Sequence, residues 1–163
     1  MYLEEMYTVR PIEERDNGAI EKVIRSCLVE YGANHEGTAW ADPQLGMLST
    51  AYNEEGTCYW VVEDENGDIV AGAGIGKLAG ETEVCELQKM YSKPEVRGTG
   101  AASALIDAAM DFARKYYKQC YLETFDNMIP AQKFYEKNGF ARTDKRYGDT
   151  GHFACDVLYI KNL

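Results

Sequence analysis

The stretch from residue 95 to 112, EVRGTGAASALIDAAMDF, restricts the fold more than any other part of the chain. Two glycines follow an arginine, and an alanine-rich amphipathic pattern begins directly behind them. This order predicts a helix whose first turn carries no bulky side chains, so that its free backbone N–H groups stay open to approach. Because the helix dipole adds positive charge at the same end, we expect an anion such as a phosphate to bind there.

The composition fits one compact unit. With 45% hydrophobic residues, the 163-residue chain can build one core and is too short for two, so we expect a single domain over residues 1–163. The sequence has no apolar run that could cross a bilayer, and its start, MYLEEMYTVRP, lacks the basic-then-apolar order of a signal peptide. These features predict a cytoplasmic protein with no membrane partner.

Charge and side-chain inventory argue against several classes of ligand. A formal net charge of −10 disfavours binding to a nucleic acid backbone. The five cysteines are scattered through apolar patterns, which favours reduced core thiols over disulfides. The chain has only two histidines and no CxxC pair, so no metal site is predicted.

Hydrophobic periodicity predicts a chain that alternates between strands and helices. We expect strands at 7–11, 57–64, 69–78, 83–92, 119–125, 140–146 and 152–160, and helices over 20–31, about five turns from Gly98, and 129–139. Residues 32–50 predict a loop with one short helix around 42–50. This order indicates a mixed sheet with helices packed on it.

A second glycine-rich segment, GAGIGK at 72–77, offers an alternative phosphate loop. It is one residue short of the nucleotide-binding pattern GxxxxGK and has no serine or threonine after Lys77. Its three glycines alternate along a predicted strand and so share one face. We therefore reject a nucleotide site and expect a helix to pack closely on that face.

Two motifs together resemble a known family. The segment RGTGAA at 97–102 follows the strand ELQKMYS, and FYEKNGF at 134–140 comes about 30 residues later. In this combination the sequence resembles the GNAT superfamily of acyl-CoA-dependent N-acyltransferases, whose signature is Q/R-x-x-G-x-G/A. The resemblance implies an α/β (α+β) fold, with a mixed, mostly antiparallel sheet of six to seven strands flanked by about four helices, in the order β-α-(α)-β-β-β-α-β-α-β-β.

The resemblance also implies a donor site for acetyl-CoA. Its diphosphate would lie over residues 97–102, and its pantetheine arm would bind the backbone of the fourth strand. The cofactor-binding residues implied in this way are Met90, Ser92, Arg97, Gly98, Thr99, Gly100, Ala101 and Ala102. The chain departs from the family where many members carry an asparagine near the arm. Met128 stands there, with Asn127 one place earlier, and the role of Asn127 stays open.

For catalysis, the resemblance implies direct attack of a primary amine, of a small molecule or a peptide, on the thioester, with no covalent enzyme intermediate. Tyr135 matches the family tyrosine that protonates the departing sulfur. Glu86, on the fourth strand, matches the carboxylate that acts as a base through water, and Glu123 on the fifth strand remains the competing base. The identity of the acceptor amine is left open.

Other functions remain as alternatives at this stage. A CoA-sensing binding or regulatory module would keep the RGTGAA loop without depending on Tyr135 or an acid. The acceptor pocket would be built by residues 28–50 and by the strands after 140, with Tyr31, Asn34, His35, Trp40 and His152 as candidate lining residues. A homodimer stays open as the assembly.

Overall fold

Seven strands form one mixed sheet in the computed structural model, which describes residues 6–163. The strands are β1 (Tyr7–Pro11), β2 (Cys58–Asp64), β3 (Ile69–Lys77), β4 (Val84–Ser92), β5 (Gln119–Thr124), β6 (Ala141–Arg142) and β7 (Val157–Asn162). Their order across the sheet is β1-β2-β3-β4-β5-β7-β6. Neighbouring strands are antiparallel, except that β4 and β5 run parallel. The predicted mixed, mostly antiparallel sheet is confirmed.

Helices cover both faces of this sheet. They are α1 (Asn17–Glu30), α2 (Leu48–Ala51), α3 (Ala101–Ala113) and α4 (Ile129–Lys137). On one face α1 buries Ile20, Ile24 and Leu28 in a core that includes Tyr59. On the other face the apolar side of α3 packs against residues of β2 to β5. Among residues 6–163, no helix combines the length and the apolar character that a membrane crossing needs.

The helix α3 is shorter than the five turns predicted from its pattern. It spans 13 residues and ends at Ala113, so Tyr116 lies beyond it in a turn. The chain must reverse here because the amide of Lys118 already donates to the carbonyl oxygen of Glu83, at the start of β4. The apolar residues after Ala113 therefore pack in the connection to β5 and do not extend the helix.

The last two predicted strands are also wrong in their bounds. Only Ala141–Arg142 and Val157–Asn162 join the sheet, so most of 140–146 and the start of 152–160 form a loop. Side chains of this loop bind residues elsewhere in the fold instead of a neighbouring strand. The guanidinium of Arg146, for example, donates to the carboxylate of Glu123 and to the carbonyl of Cys155. The short helix expected around 42–50 is the single turn α2, which begins at Leu48.

The glycine face of β3 makes room for α1 and for a buried tyrosine. A Cβ atom at Gly72 would lie 2.7 Å from Cδ1 of Ile20 and 2.7 Å from the ring of Tyr59. One at Gly74 would lie 2.6 Å from the same ring. Close packing of a helix is therefore confirmed at Gly72, but the ring of Tyr59 takes most of the space that the glycines leave.

A β-bulge interrupts the pairing of β3 with β4. The register between β3 and β4 shifts between Gly72 and Gly74, and Lys89 takes a left-handed conformation with φ of 49°. The hydroxyl of Tyr59 donates to the carbonyl of Lys89 at 2.7 Å. Pairing of β4 with β5 covers only three residues, from Val84 to Glu86. Beyond Glu86 the two strands part, and a cleft opens between them.

Filling the space under Tyr59 should destabilise the protein. We expect Gly72→Ala to lower the free energy of unfolding by about 1–3 kcal/mol, because the new methyl group overlaps side chains that are fully packed. Gly18→Ala is the matched control, since its Cβ would meet nothing within 4 Å and its backbone is helical. This control should be neutral or more stable by up to about 1 kcal/mol. Urea unfolding of both variants decides the prediction, and equal stability would contradict it.

Candidate active site

A cavity of about 250 Å³ occupies the cleft between β4 and the first turns of α3 and α4. Its walls are mainly apolar and include Leu105, Pro130, Ala131 and Phe134. A smaller cavity of about 40 Å³ lies on the other side of the same wall. The residues common to both cavities are Met90, Tyr91, Met128 and Tyr135. Two compartments therefore meet at the point where β4 and β5 part.

The larger cavity ends at an uncapped helix terminus. Gly98 and Gly100 have positive φ angles of 78° and 92°, and Gly100 caps α3 without any side-chain bond. Within residues 6–163, the backbone N–H groups of Gly98, Gly100 and Ala102 have no acceptor. Gly98 and Ala102 also line the cavity. Bare N–H groups at the positive end of a helix dipole suit a phosphate or another anion.

Other members of the predicted donor site are placed differently. The N–H and hydroxyl of Thr99 both bond to the carbonyl of Val96, so Thr99 turns into its own loop. Ala101 is buried, and its N–H lies 3.4 Å from Oγ1 of Thr99. Met90 and Ser92 line the larger cavity, as a bound arm along β4 would require. Fewer residues are therefore open to an anion than the predicted run 97–102, because Thr99 and Ala101 bond or pack within the loop.

Arg97 is held by an acidic partner from α1. Its guanidinium makes two hydrogen bonds of 2.7 and 2.8 Å to the carboxylate of Glu30, and a third, of 3.0 Å, to the carbonyl of Ser92. The bonds from Arg97 lower the pKa of Glu30, which stays ionised. Arg97 is thus fixed at the edge of the cavity, between Glu30 and the end of β4.

The departure at residues 127 and 128 has a structural explanation. Asn127 donates from Nδ2 to the carbonyl of Tyr31 at 3.0 Å and so ties the loop before α4 to the end of α1. Met128 is buried and lines both cavities. Residue 128 therefore offers both cavities a thioether and no amide, and the amide of Asn127 is used within the fold.

Tyr135 stands at the boundary between the two cavities. The residue is only 8% exposed, and within residues 6–163 its hydroxyl makes no hydrogen bond. Burial raises its pKa, so the phenol keeps its proton at neutral pH. A neutral phenol with an uncommitted proton, at the wall of a mainly apolar cavity, can donate to a ligand atom.

Glu86 lies on the wall of the smaller cavity. The residue is 3% exposed, and its carboxylate accepts a bond of 2.5 Å from Nε2 of Gln88. Burial raises its pKa to about 7, although the bond from Gln88 works in the opposite direction. A carboxylate with such a pKa can accept a proton near neutral pH and release it again.

The competing carboxylate, Glu123, is in a different environment. It accepts hydrogen bonds from the hydroxyl of Tyr121 at 2.6 Å, from Arg146 at 2.9 Å and from the hydroxyl of Thr150. Glu86 forms no ion pair within the described residues, whereas Glu123 pairs with Arg146. Through the bonds from Arg146 and Thr150, Glu123 anchors the loop between β6 and β7 to β5.

Sequence patterns missed two charged residues of the site, Lys89 and Asp42, whereas His152 was a candidate lining residue. The ammonium of Lys89 pairs with Asp42 at 2.8 Å, and Nε2 of His152 lies 3.1 Å from the same carboxylate. Lys89 and His152 line the smaller cavity, while Asn34, His35 and Trp40 line neither cavity. Burial lowers the pKa of Lys89, but the nearby negative groups raise it by more, so Lys89 stays charged. For Gln88 the sequence did carry a signal: it lies two residues after Glu86 on a predicted strand, so the two side chains share one face of that strand.

A family comparison settles what kind of protein this is. The model of the acetyltransferase (GNAT) family matches residues 20–140, which include both cavities' main walls. The chain belongs to the GNAT acetyltransferase family. An Escherichia coli K12 protein named Uncharacterized N-acetyltransferase YjgM is 44% identical over 158 residues, or 95% of this chain and 94% of its own length. Human N-acetyltransferase 8B is 29% identical over 108 residues, which are 63% of this chain and 47% of its own.

Solved structures share the GNAT fold. A GNAT-family acetyltransferase from Staphylococcus aureus Mu50 superposes with a TM-score of 0.83 at 22% identity, covering 96% of this chain and 99% of its own. The PaiA N-acetyltransferase from Thermoplasma acidophilum, solved in complex with coenzyme A, gives a TM-score of 0.72 at 16% identity, with coverage of 96% and 99%. The protein is therefore a GNAT-fold acetyltransferase, and the family resemblance of its motifs is confirmed.

Removing the charge of Glu123 should loosen the loop of this GNAT domain between β6 and β7. We expect Glu123→Gln to lower the free energy of unfolding by about 1–3 kcal/mol, because three donors lose their charged acceptor. Amide hydrogen exchange should accelerate over residues 143–156 in particular. Exchange that is unchanged in this segment would contradict the anchoring role of Glu123.

Proposed function

We propose that this GNAT protein transfers the acetyl group of acetyl-CoA to the primary amine of a small molecule or peptide, by direct attack within a ternary complex. One observation carries the proposal. A single cavity has uncapped helix N–H groups at one end and the uncommitted hydroxyl of Tyr135 at the other. A thioester with a remote diphosphate needs an anion site and a proton donor separated in this way.

The walls of the larger cavity suit the donor. The glycines at 98 and 100 leave room for a diphosphate that side chains at these positions would hold away, and Ala102 adds only a methyl group. The apolar walls and the backbone at Met90 and Ser92 fit a narrow arm that runs toward Tyr135. That the PaiA neighbour binds coenzyme A supports the choice of donor.

The smaller cavity suits the acceptor amine. An alkylammonium has a pKa near ~10 and must lose a proton before it can attack. Glu86 takes this proton, directly or through a water molecule, and the amine nitrogen then forms a bond to the thioester carbonyl carbon. The carbon–sulfur bond breaks with both electrons going to sulfur, and the thiolate takes the proton of Tyr135. The acylated nitrogen then releases its remaining extra proton to the Tyr135 phenolate, which leaves a neutral amide and restores the phenol. No covalent bond to the protein is formed.

We further propose that the whole chain acts as one domain in the cytoplasm. The described strands join one sheet from Tyr7 to Asn162, and the cores on its two faces both pack against it. The acidic balance of the chain favours small or cationic acceptors over nucleic acid.

The decisive experiment is release of free thiol from acetyl-CoA across a panel of amines. We expect turnover with at least one primary amine, and Tyr135→Phe should reduce kcat by about 10²-fold or more while CoA affinity changes little. The reason is that phenylalanine keeps the packing and removes only the proton donor. Binding of CoA without turnover for any amine would favour a CoA-sensing module, and equal rates for both proteins would remove Tyr135 from the acid role.

The anion site can be tested separately from the chemistry. We expect Ala102→Glu to lower affinity for CoA at least about tenfold, because a carboxylate in the cavity repels the diphosphate and fills its place. Ser103→Glu is the matched control, since it adds the same charge to the same helix turn at an exposed position outside the cavity. Isothermal titration calorimetry with CoA measures the affinity of both variants. Unchanged affinity of Ala102→Glu would reject the loop as the diphosphate site.

A further inference from the structure

Three polar side chains form a chain of hydrogen bonds that ends at the proposed base, Glu86. The hydroxyl of Tyr52 donates to Oε1 of Gln88 at 2.5 Å, and Nε2 of Gln88 donates to Oε1 of Glu86 at 2.5 Å. Tyr52 follows α2, whereas Gln88 and Glu86 point to the same face of β4. Neither Tyr52 nor Gln88 belongs to the residues that the GNAT resemblance implied.

The charge beside Tyr52 decides which end of the amide faces Glu86. The ammonium of Lys89 faces the oxygen of Tyr52 and is itself fixed by Asp42 at 2.8 Å. A cation next to the phenol oxygen directs the phenol proton away from itself, toward Gln88. The amide oxygen of Gln88 must then face Tyr52, so its NH₂ group faces Glu86. An NH₂ group donates only, and it therefore stabilises Glu86 as a carboxylate.

The backbone is shaped to allow this arrangement. The amide of Gln88 lies directly over Gly76 of β3, where any Cβ atom would collide with it. Gly76 pairs with Glu86 across the two strands. The third glycine of the β3 face thus makes room for the amide and not for a helix.

We propose that Gln88 is a positioning residue that holds Glu86 in its ionised, proton-accepting form, with Tyr52 setting the direction of the amide. The inference rests on the proposed function in taking Glu86 as the base. The chain Lys89–Tyr52–Gln88–Glu86 then links the partly buried ion pair of Lys89 and Asp42 to the reaction. Without the chain, a carboxyl group buried to this degree would keep its proton to a higher pH.

Other groups around Glu86 act on it as well and must be held constant in a test. The titratable or charged groups that face Glu86 are Lys89 on β4, Tyr121 and Glu123 on β5, Cys120 behind them, Tyr52 after α2, and His152 and Cys155 on the loop before β7. Glu123 raises the pKa of Glu86, while His152 and Lys89 lower it. Gln88→Leu leaves all of these groups in place, and Tyr52→Phe removes only the neutral phenol hydroxyl whose role is tested.

The test is a direct titration of Glu86 by the ¹³C chemical shift of its side-chain carboxyl, assigned with Glu86→Gln. We expect Gln88→Leu to move the titration midpoint upward by about one pH unit, because the donor to the carboxylate is lost. Tyr52→Phe should move it in the same direction by less. Tyr117→Phe is the control, since it removes a tyrosine hydroxyl bond, to the carbonyl of Gly56, far from this site.

The acid limb of kcat/KM should move upward by the same amounts in the same variants. A wild-type protein that turns over no amine would overturn the proposed function, yet the carboxyl titration would still test the role of Gln88. A midpoint that is equal in wild type, Gln88→Leu and Tyr52→Phe would overturn the inference. If Gln88→Leu does not fold, Tyr52→Phe alone decides it, because that variant keeps the amide and the packing of the ring.

Discussion

The hydrogen bond from Tyr59 to the carbonyl of Lys89 is the contact on which the site depends. It holds a lysine in a left-handed conformation within a strand, a state that costs free energy wherever it is not compensated. Two glycines of β3 let the ring of Tyr59 lie close enough to reach this carbonyl. The bulge held in this way turns β4 away from β5, and both cavities open at the resulting gap.

The features that depend on short-range periodicity could be predicted from the sequence. The apolar face of α1, the hairpin of β2 and β3, and the glycine-rich start of α3 all follow from residues that are neighbours along the chain. The end of α3 could not be predicted in this way. Its position depends on the amide of Lys118, which donates to the carbonyl of Glu83 just before β4, and the apolar pattern after Ala113 does not indicate that contact.

The same limit applies to the site. The loop at 97–102 and Tyr135 were recognisable from motifs, because each motif is short and contiguous. Residue type and spacing alone could not decide between Glu86 and Glu123 as the base, since both are acidic and both lie on predicted strands. Only the family resemblance favoured Glu86. The structure separates them by their partners: Glu123 meets Arg146 and Thr150 from a distant loop, whereas Glu86 meets only an amide from its own strand. The contacts that distinguish Glu123 come from a segment distant along the chain, and residue spacing does not reveal them.

The bidentate pairing of Arg97 with Glu30 has a further consequence for how the site meets its ligand. A free arginine would lose much rotational freedom on gripping an anion, which weakens binding. Here that freedom is already lost before any ligand arrives, and the guanidinium is oriented by α1. In the proposed donor site, the carboxylate that orients Arg97 would also repel the diphosphate, so Glu30 would set a balance between readiness to bind and ease of release.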